Sequence, residues 1–145
     1  MAKSSVEPSE VIRKYRVVAV VGASSNPEKD ANIIPGYLKD HGFEVLPVNP
    51  TASSIQGLKA YPSLADLPAD VAKKVEVVDV FRPSEELPDI ARQVAKMKRE
   101  TGRPFVFWAQ EGLESEEAKA ILVAAGVDYV MDGCMRTEHQ ALGSL

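Results

Sequence analysis

Apolar and polar positions along this chain fall into two alternating rhythms, and the alternation predicts an architecture. Arg16-Val17-Val18-Ala19-Val20-Val21 is a continuous, largely β-branched run that stops at Gly22. It lacks polar alternation, which predicts a strand buried on both faces, as in a parallel sheet. Ile33, Ile34, Tyr37 and Leu38 then recur at helical spacing and end at His41-Gly42, where the glycine suits a C-terminal cap. Pro35 lacks an N–H and belongs in a first turn, so this helix is expected to start near Ala31 or Asn32. Residues 43–48 read as a second strand, residues 51–62 as loop, and residues 63–67 as one helical turn closed by Pro68. Residues 75–81 form a third strand pattern. Ser84 is placed to cap a helix whose apolar stripe is Leu87, Ile90, Ala91, Val94 and Met97, ending at Gly102. Residues 105–108 give a fourth strand, Ser115 opens a helix that Gly126 closes, and residues 127–131 give a fifth. Before all of these, Ser9 is expected to cap a short helix to Tyr15 with Val11 and Ile12 inward. Trp108 and Met97 read as core. Five strands alternating with helices imply right-handed crossovers and a parallel sheet covered on both faces. The expected fold class is α/β, a three-layer, doubly wound, five-stranded parallel sheet.

Composition narrows the picture without changing it. The 145 residues, 45% hydrophobic and 26% charged, suit one self-sufficient domain and exclude a disordered or membrane-spanning chain. That domain is expected over residues 9–145, with residues 1–8 frayed. Seventeen basic against twenty-one acidic residues leave a net charge of −4, without the basic footprint of a nucleic-acid binder. A single cysteine forms no internal disulfide, and two separated histidines, His41 and His139, make no metal cluster. The opening MAKSSVEPSE lacks the apolar stretch of a secretory signal, so a cytoplasmic location is expected.

In such a sheet, ligands bind beyond the carboxyl ends of the strands, where the strand order reverses. Residues 22–30, 48–54, 81–84, 109–113 and 132–136 therefore carry the candidate chemistry. The first of these, Gly22-Ala23-Ser24-Ser25-Asn26-Pro27-Glu28-Lys29-Asp30, joins the first strand to the first helix of the sheet. Small residues let backbone N–H groups approach a phosphate, the helix turns its positive end toward it, and Ser24, Ser25 and Lys29 add donors. The plain alternative is an ordinary strand-to-helix turn. The G-x-G-x-x-G dinucleotide fingerprint fails here, since Ser24 and Pro27 occupy its second and third glycine positions. The second strand ends Leu46-Pro47-Val48-Asn49-Pro50, with no carboxylate for a ribose diol and no arginine for a 2′-phosphate. No G-K-[ST] P-loop is present. Nicotinamide binding is disfavoured on these grounds, and an NAD(P)-binding regulator or reductase stays as a minor alternative.

The segments GASSNPEKD, GYLKDHGFEVLPVNP, GLKAYPSLADLP, VEVVDVFRP and DGCMRTEHQAL resemble the stand-alone CoA-binding domain proteins. The same first half is similar to the CoA-binding domain of NDP-forming acyl-CoA synthetases and of the succinyl-CoA ligase alpha subunit. The resemblance implies a Rossmann-like fold and a bound coenzyme A. It further implies that Gly22, Ala23, Ser24 and Ser25 cradle its phosphates, with Val48, Asn49, Pro50, Phe81 and Arg82 bordering the nucleotide. Ala109, Gln110 and Glu111 would lie along the pantetheine. Lys29 and Arg82 are the cations best placed for the ligand's negative charge, and Phe81 and Pro50 offer apolar faces to adenine. Ligase relatives often carry a lysine after the asparagine-proline turn; this chain has Thr51-Ala52-Ser53, so that contact is not carried over.

Each remaining candidate has a competing structural reading. Arg82 either meets the ligand or forms a surface salt bridge to Glu85 or Glu86. Gln110 and Glu111 either bond the pantetheine amides or simply solvate a loop. Cys134 reads first as a small buried residue, with a mixed disulfide to CoA as its redox alternative. Glu138-His139 reads as part of a tail docked on the domain rather than as a general acid/base pair, and His41 as a helix terminator. The leading expectation is a CoA- or acyl-CoA-binding carrier, sensor or regulatory module without catalytic residues of its own. The enzyme alternative is the CoA-binding subunit of a split acyl-CoA synthetase. A homodimer or a partner enzyme would be its protein partner.

Overall fold

The computed structural model describes residues 2–143. In chain order the elements are α1 (Pro8–Lys14), β1 (Val17–Val21), α2 (Asp30–Asp40), β2 (Glu44–Val48), β3 (Ser54–Ile55), β4 (Leu58–Lys59), α3 (Ala69–Ala72), β5 (Val77–Val80), α4 (Leu87–Thr101), β6 (Val106–Ala109), α5 (Glu116–Ala125), β7 (Asp128–Val130) and α6 (Met135–Leu142). Single 3₁₀ turns lie at Leu64–Asp66 and Ser84–Glu86. The main sheet has the order β2-β1-β5-β6-β7, and each neighbouring pair is parallel. The chain leaves β1 for β2 on one side and returns to β5 on the other, so the order reverses between β1 and β5. This is the expected three-layer, doubly wound α/β fold. Its accessible surface is 7009 Å², close to the roughly 7,300 Å² expected of a compact protein of this mass.

Why the strands read as unbroken apolar runs is now clear. One face of the sheet packs Ala19, Val78, Val80, Phe107 and Ala109 against Leu87 and Val94 of α4 and Leu122 of α5. The other packs Val18, Val20, Val77 and Trp108 against Ile12, Leu38 and Met135 of α1, α2 and α6. Every residue of β5 and β6 is buried. Trp108 is wholly covered, and its indole N–H donates to the Gly133 carbonyl at 2.9 Å. Among the buried residues of the strands, one is polar. Asp79 stands in mid-β5 between Val20 and Trp108, fully buried, and neither carboxylate oxygen has a hydrogen-bond partner. Burial, reinforced by the neighbouring Cys134, holds its carboxyl well above the usual carboxylate range.

The amino ends of the strands are closed by side chains. Tyr15 stacks on Phe105 with ring centroids 5.3 Å apart, Lys14 lies over Tyr15, and Lys98 and Arg103 lie over Phe105. Glu76 Oε1 accepts the N–H groups of Arg16 and Val17 at 2.9 and 3.1 Å, satisfying donors that lead into β1. The sides of the sheet are also occupied. Along β7, Ser4 forms an antiparallel bridge with Val130, the Ser5 N–H donates to Tyr129 O, and Met131 N–H donates to Lys3 O. Along β2, Tyr61 N–H donates to Pro47 O and Asn49 N–H to Tyr61 O.

Several elements differ from expectation for local reasons. Residues 3–5, expected to fray, are held by the β7 pairing and by Lys3–Asp132 at 2.7 Å. Ser9 does not cap α1: Pro8, with its fixed φ, starts the helix two residues earlier, behind Glu7. Ser84 does not cap α4 either. It opens the 3₁₀ turn before it, and its Oγ accepts the Glu114 N–H at 3.1 Å. Ser63 and Ser115 do cap, accepting from Asp66 and Ala118. The loop at residues 51–62 contains the β3–β4 hairpin, joined through Gln56-Gly57 with φ of 55° and 73°. The tail is a helix, α6, docked where Tyr37 Oη and His139 Nδ1 share a hydrogen bond at 2.7 Å.

Candidate functional site

The carboxyl ends of β1 and β5 meet at Gly22. This residue has a φ of +84°, and a Cβ there would lie 2.8 Å from Arg82 Cδ and 2.9 Å from the Phe81 carbonyl oxygen. Glycine is thus required twice, by the backbone conformation and by the crossing of the next strand's end. Beyond it the loop is built from side-chain hydrogen bonds. Ser24 Oγ accepts the Asn26 N–H at 3.0 Å, and Asn26 Oδ1 accepts the Glu28 N–H at 3.0 Å. Two asparagines hold the loop's carbonyls: Asn49 Nδ2 donates to Ala23 O at 2.9 Å and Asn32 Nδ2 to Ser24 O at 2.8 Å. Asn49 Oδ1 also accepts N–H groups of Thr51 and Ala52, so one side chain fixes both the first and the second strand-end loops.

Pro35 belongs to this construction. Helix α2 starts at Asp30, ahead of the expected Ala31 or Asn32, which places Pro35 in its second turn. A proline there leaves the carbonyl one turn back without its usual donor. That carbonyl is Ala31 O, and it accepts the Ser24 N–H at 3.1 Å. The missing helical bond is replaced by one that ties the loop to the helix.

Two cavities open on this edge. The first, about 650 Å³, is lined by Gly22, Ala23, Ser24, Lys29, Val48, Asn49, Pro50, Phe81 and Arg82, together with Thr51, residues 62–64, Glu86, Asp89, Ile90 and Gln93. The second, about 460 Å³, is lined by Lys29, Ile34, Phe81, Arg82, Gln110, Glu111, Cys134 and Arg136, among others. Both sizes lie within the range of small-molecule sites. Lys29, Ala31, Phe81 and Arg82 belong to both walls, so the cavities form one cleft divided by these side chains. Charge in the first cavity is balanced, with Lys29 and Arg82 facing Glu86 and Asp89. Arg82 forks onto Glu86, with Nε–Oε1 at 3.1 Å and Nη2–Oε2 at 2.8 Å, and this partner raises its affinity for its proton.

Of the sequence-expected residues, nine line the first cavity and Gln110 the second; Ser25 is exposed and lines neither. Gln110 is buried, and its Oε1 accepts the Met135 N–H at 3.5 Å, linking β6 to the start of α6. Cys134 is buried in the second cavity's wall. Sequence reasoning missed the supports. Gln56 lies across Gly36 and donates from Nε2 to Asn32 O and Oδ1 at 3.0 and 2.7 Å, bracing the asparagine that holds Ser24. The only sequence cue is a polar pair in the first turn of a helix and in a turn preceding glycine. Also missed was the return of residues 62–64 over the cleft, set by Tyr61 pairing with β2.

The family model for the CoA binding domain matches residues 16–140. The chain belongs to this family. It is 37% identical over 136 residues to the uncharacterized protein YneT of Bacillus subtilis, spanning 94% of each chain. It is also 37% identical over 81 residues to an ADP-forming acetate–CoA ligase II of Archaeoglobus fulgidus, there covering 54% of this chain and 11% of the ligase. A solved hypothetical protein from Pyrococcus horikoshii superposes with a TM-score of 0.83 at 35% identity, covering 95% of this chain and 93% of that one. The CoA-binding fold and its kinship with acyl-CoA synthetases are thereby established for this chain. Among its described residues no helix is long and apolar enough to cross a membrane.

Proposed function

We propose that this CoA-binding domain holds coenzyme A, or an acyl-CoA, along the carboxyl edge of its sheet as a carrier, sensor or regulatory module with no catalytic residue of its own. The observation that carries the reading is the divided cleft at the β1–β5 reversal. A nucleotide with phosphates suits the first cavity, where the Gly22-Ala23-Ser24 loop, Lys29 and Arg82 meet the apolar faces of Pro50 and Phe81. A thin amide-bearing arm suits the second, past Gln110 and Glu111. The missing dinucleotide fingerprint argues against a nicotinamide cofactor in the same place.

Isothermal titration with CoA, acetyl-CoA, NAD and NADP at matched salt tests this. Saturable heat is expected with CoA or acetyl-CoA and none with the nicotinamides. Silence with both CoA ligands and heat with NAD or NADP would replace this reading by the redox alternative. A second reading, the CoA-binding subunit of a split acyl-CoA synthetase, is favoured by the ligase relative that carries a similar segment within a much longer chain. Copurification with nucleotide-grasping and phosphohistidine subunits, and acyl-CoA synthesis on reconstitution, would select it.

A further inference from the structure

Arg82 stands at the division of the cleft, and its charge is already engaged. Its stem lies against Gly22, where even a Cβ would intrude, so the guanidinium is the part able to change partners. That group is forked on Glu86, and the two side chains are 47% and 45% exposed. An exposed pair four residues apart on one turn is a weak clamp that yields to a stronger acceptor. A phosphate is such an acceptor, offering the same two-oxygen geometry with greater charge. The Glu86 carboxylate also lines the first cavity beside Asp89, where it opposes any incoming anion.

We propose that Glu86 is a specificity-determining residue of this cleft: it occupies the Arg82 fork in the unliganded protein, and a phosphate group of the ligand displaces it. The inference rests on the CoA reading of the site. Binding then exchanges one anion for another on Arg82, and the freed carboxylate turns toward solvent. Ligands whose charge is no greater than a carboxylate's gain nothing from the exchange, so Glu86 selects for phosphate and sets affinity below what Arg82 alone would give.

The test is a titration series with CoA on the wild-type chain, Glu86→Gln, Arg82→Gln and the double variant. Glu85→Gln serves as a control that removes the same charge from the same exposed turn. Glu86→Gln is expected to tighten CoA binding roughly three- to tenfold, with Glu85→Gln changing it less than about twofold. The gain from Glu86→Gln should vanish in the Arg82→Gln background. Equal effects of the two glutamate variants, or a gain that survives without Arg82, would overturn the proposal while leaving the CoA reading intact. Failure of both the wild type and Glu86→Gln to titrate with CoA would bring down both.

Discussion

The two ends of the sheet are made from the same strands and finished in opposite ways. At the amino end, aromatic rings and the stems of cations cover the strand starts: Tyr15 on Phe105, with Lys14, Lys98 and Arg103 around them. At the carboxyl end β1 runs out into small residues and backbone, and two asparagines nearby turn inward to hold the loops. Asn49 and Asn32 spend their donors on the carbonyls of Ala23 and Ser24. One end is stable because bulk fills it, the other because a hydrogen-bonded frame keeps it open. Substitutions should therefore lower stability alone at the first end, and stability together with binding at the second.

The sharpest way to break this contrast is Gly22→Val. It combines a disfavoured φ with a collision against Arg82 and Phe81, and a loss of about 3 kcal/mol or more is expected, together with CoA binding. Gly126→Ala is the matched control, since its φ of +74° is similar but nothing lies within 4 Å of the added carbon. It should cost only about 1–2 kcal/mol and leave the ligand bound. Thermal or denaturant melts with and without CoA give both quantities. A Gly22→Val variant as stable as Gly126→Ala would show that the crossing is not tight.

Next in size is Phe105→Ala at the closed end. Removing a half-buried ring from a stack with three cations should cost about 2–3 kcal/mol. CoA affinity, measured well below the melting point, should stay within error of wild type. A fall in affinity as large as the fall in stability would mean the two ends are not separable.

The smallest effect is a pH dependence in which one buried and one half-buried group pull in opposite directions. Asp79 holds its proton to a higher pH in the folded chain than in the unfolded one, so its contribution to stability falls as pH rises above its ordinary 3.8. His139 is held below its ordinary 6.5, chiefly by burial and then by His41 and Arg16. The unfolded chain therefore takes up a proton there first, and stability falls as pH drops through that range. Asp79→Asn should flatten the decline on the alkaline side and leave the acid-side decline in place. Urea melts from pH 4 to 8 would show it; an unchanged profile would mean that Asp79 is ionised in the folded protein.

Much of this was legible in the residues because both rhythms are strong. β1 and β5 are nearly pure β-branched runs, and α4 carries a clean stripe from Leu87 to Met97, so the sheet, its helices and the strand-end segments followed directly. The gathering of those segments at one edge followed too, since position at a strand end depends on topology more than on residue type. The frame behind it was hidden. Gln56 bracing Asn32, or Ser24 using the carbonyl that Pro35 strands, joins residues whose pairing exists only after folding. Proline itself misled, because a first-turn position was assumed where a loop supplies the missing donor. The β3–β4 hairpin was too short to carry any alternation. The Arg82–Glu86 fork was foreseen only as the competing reading, since spacing alone permits both a salt bridge and a ligand contact.

The occupied sides of the sheet bear on how copies of this domain meet one another. Residues 3–5 already use the outer backbone groups of β7, and the Tyr61 segment uses those of β2 beside Pro47, which has no N–H to offer. Where these segments pair, among the described residues, a second copy would have to displace them to extend the sheet. Trimming residues 2–6 would uncover β7 and turn a guarded margin into a template for aggregation.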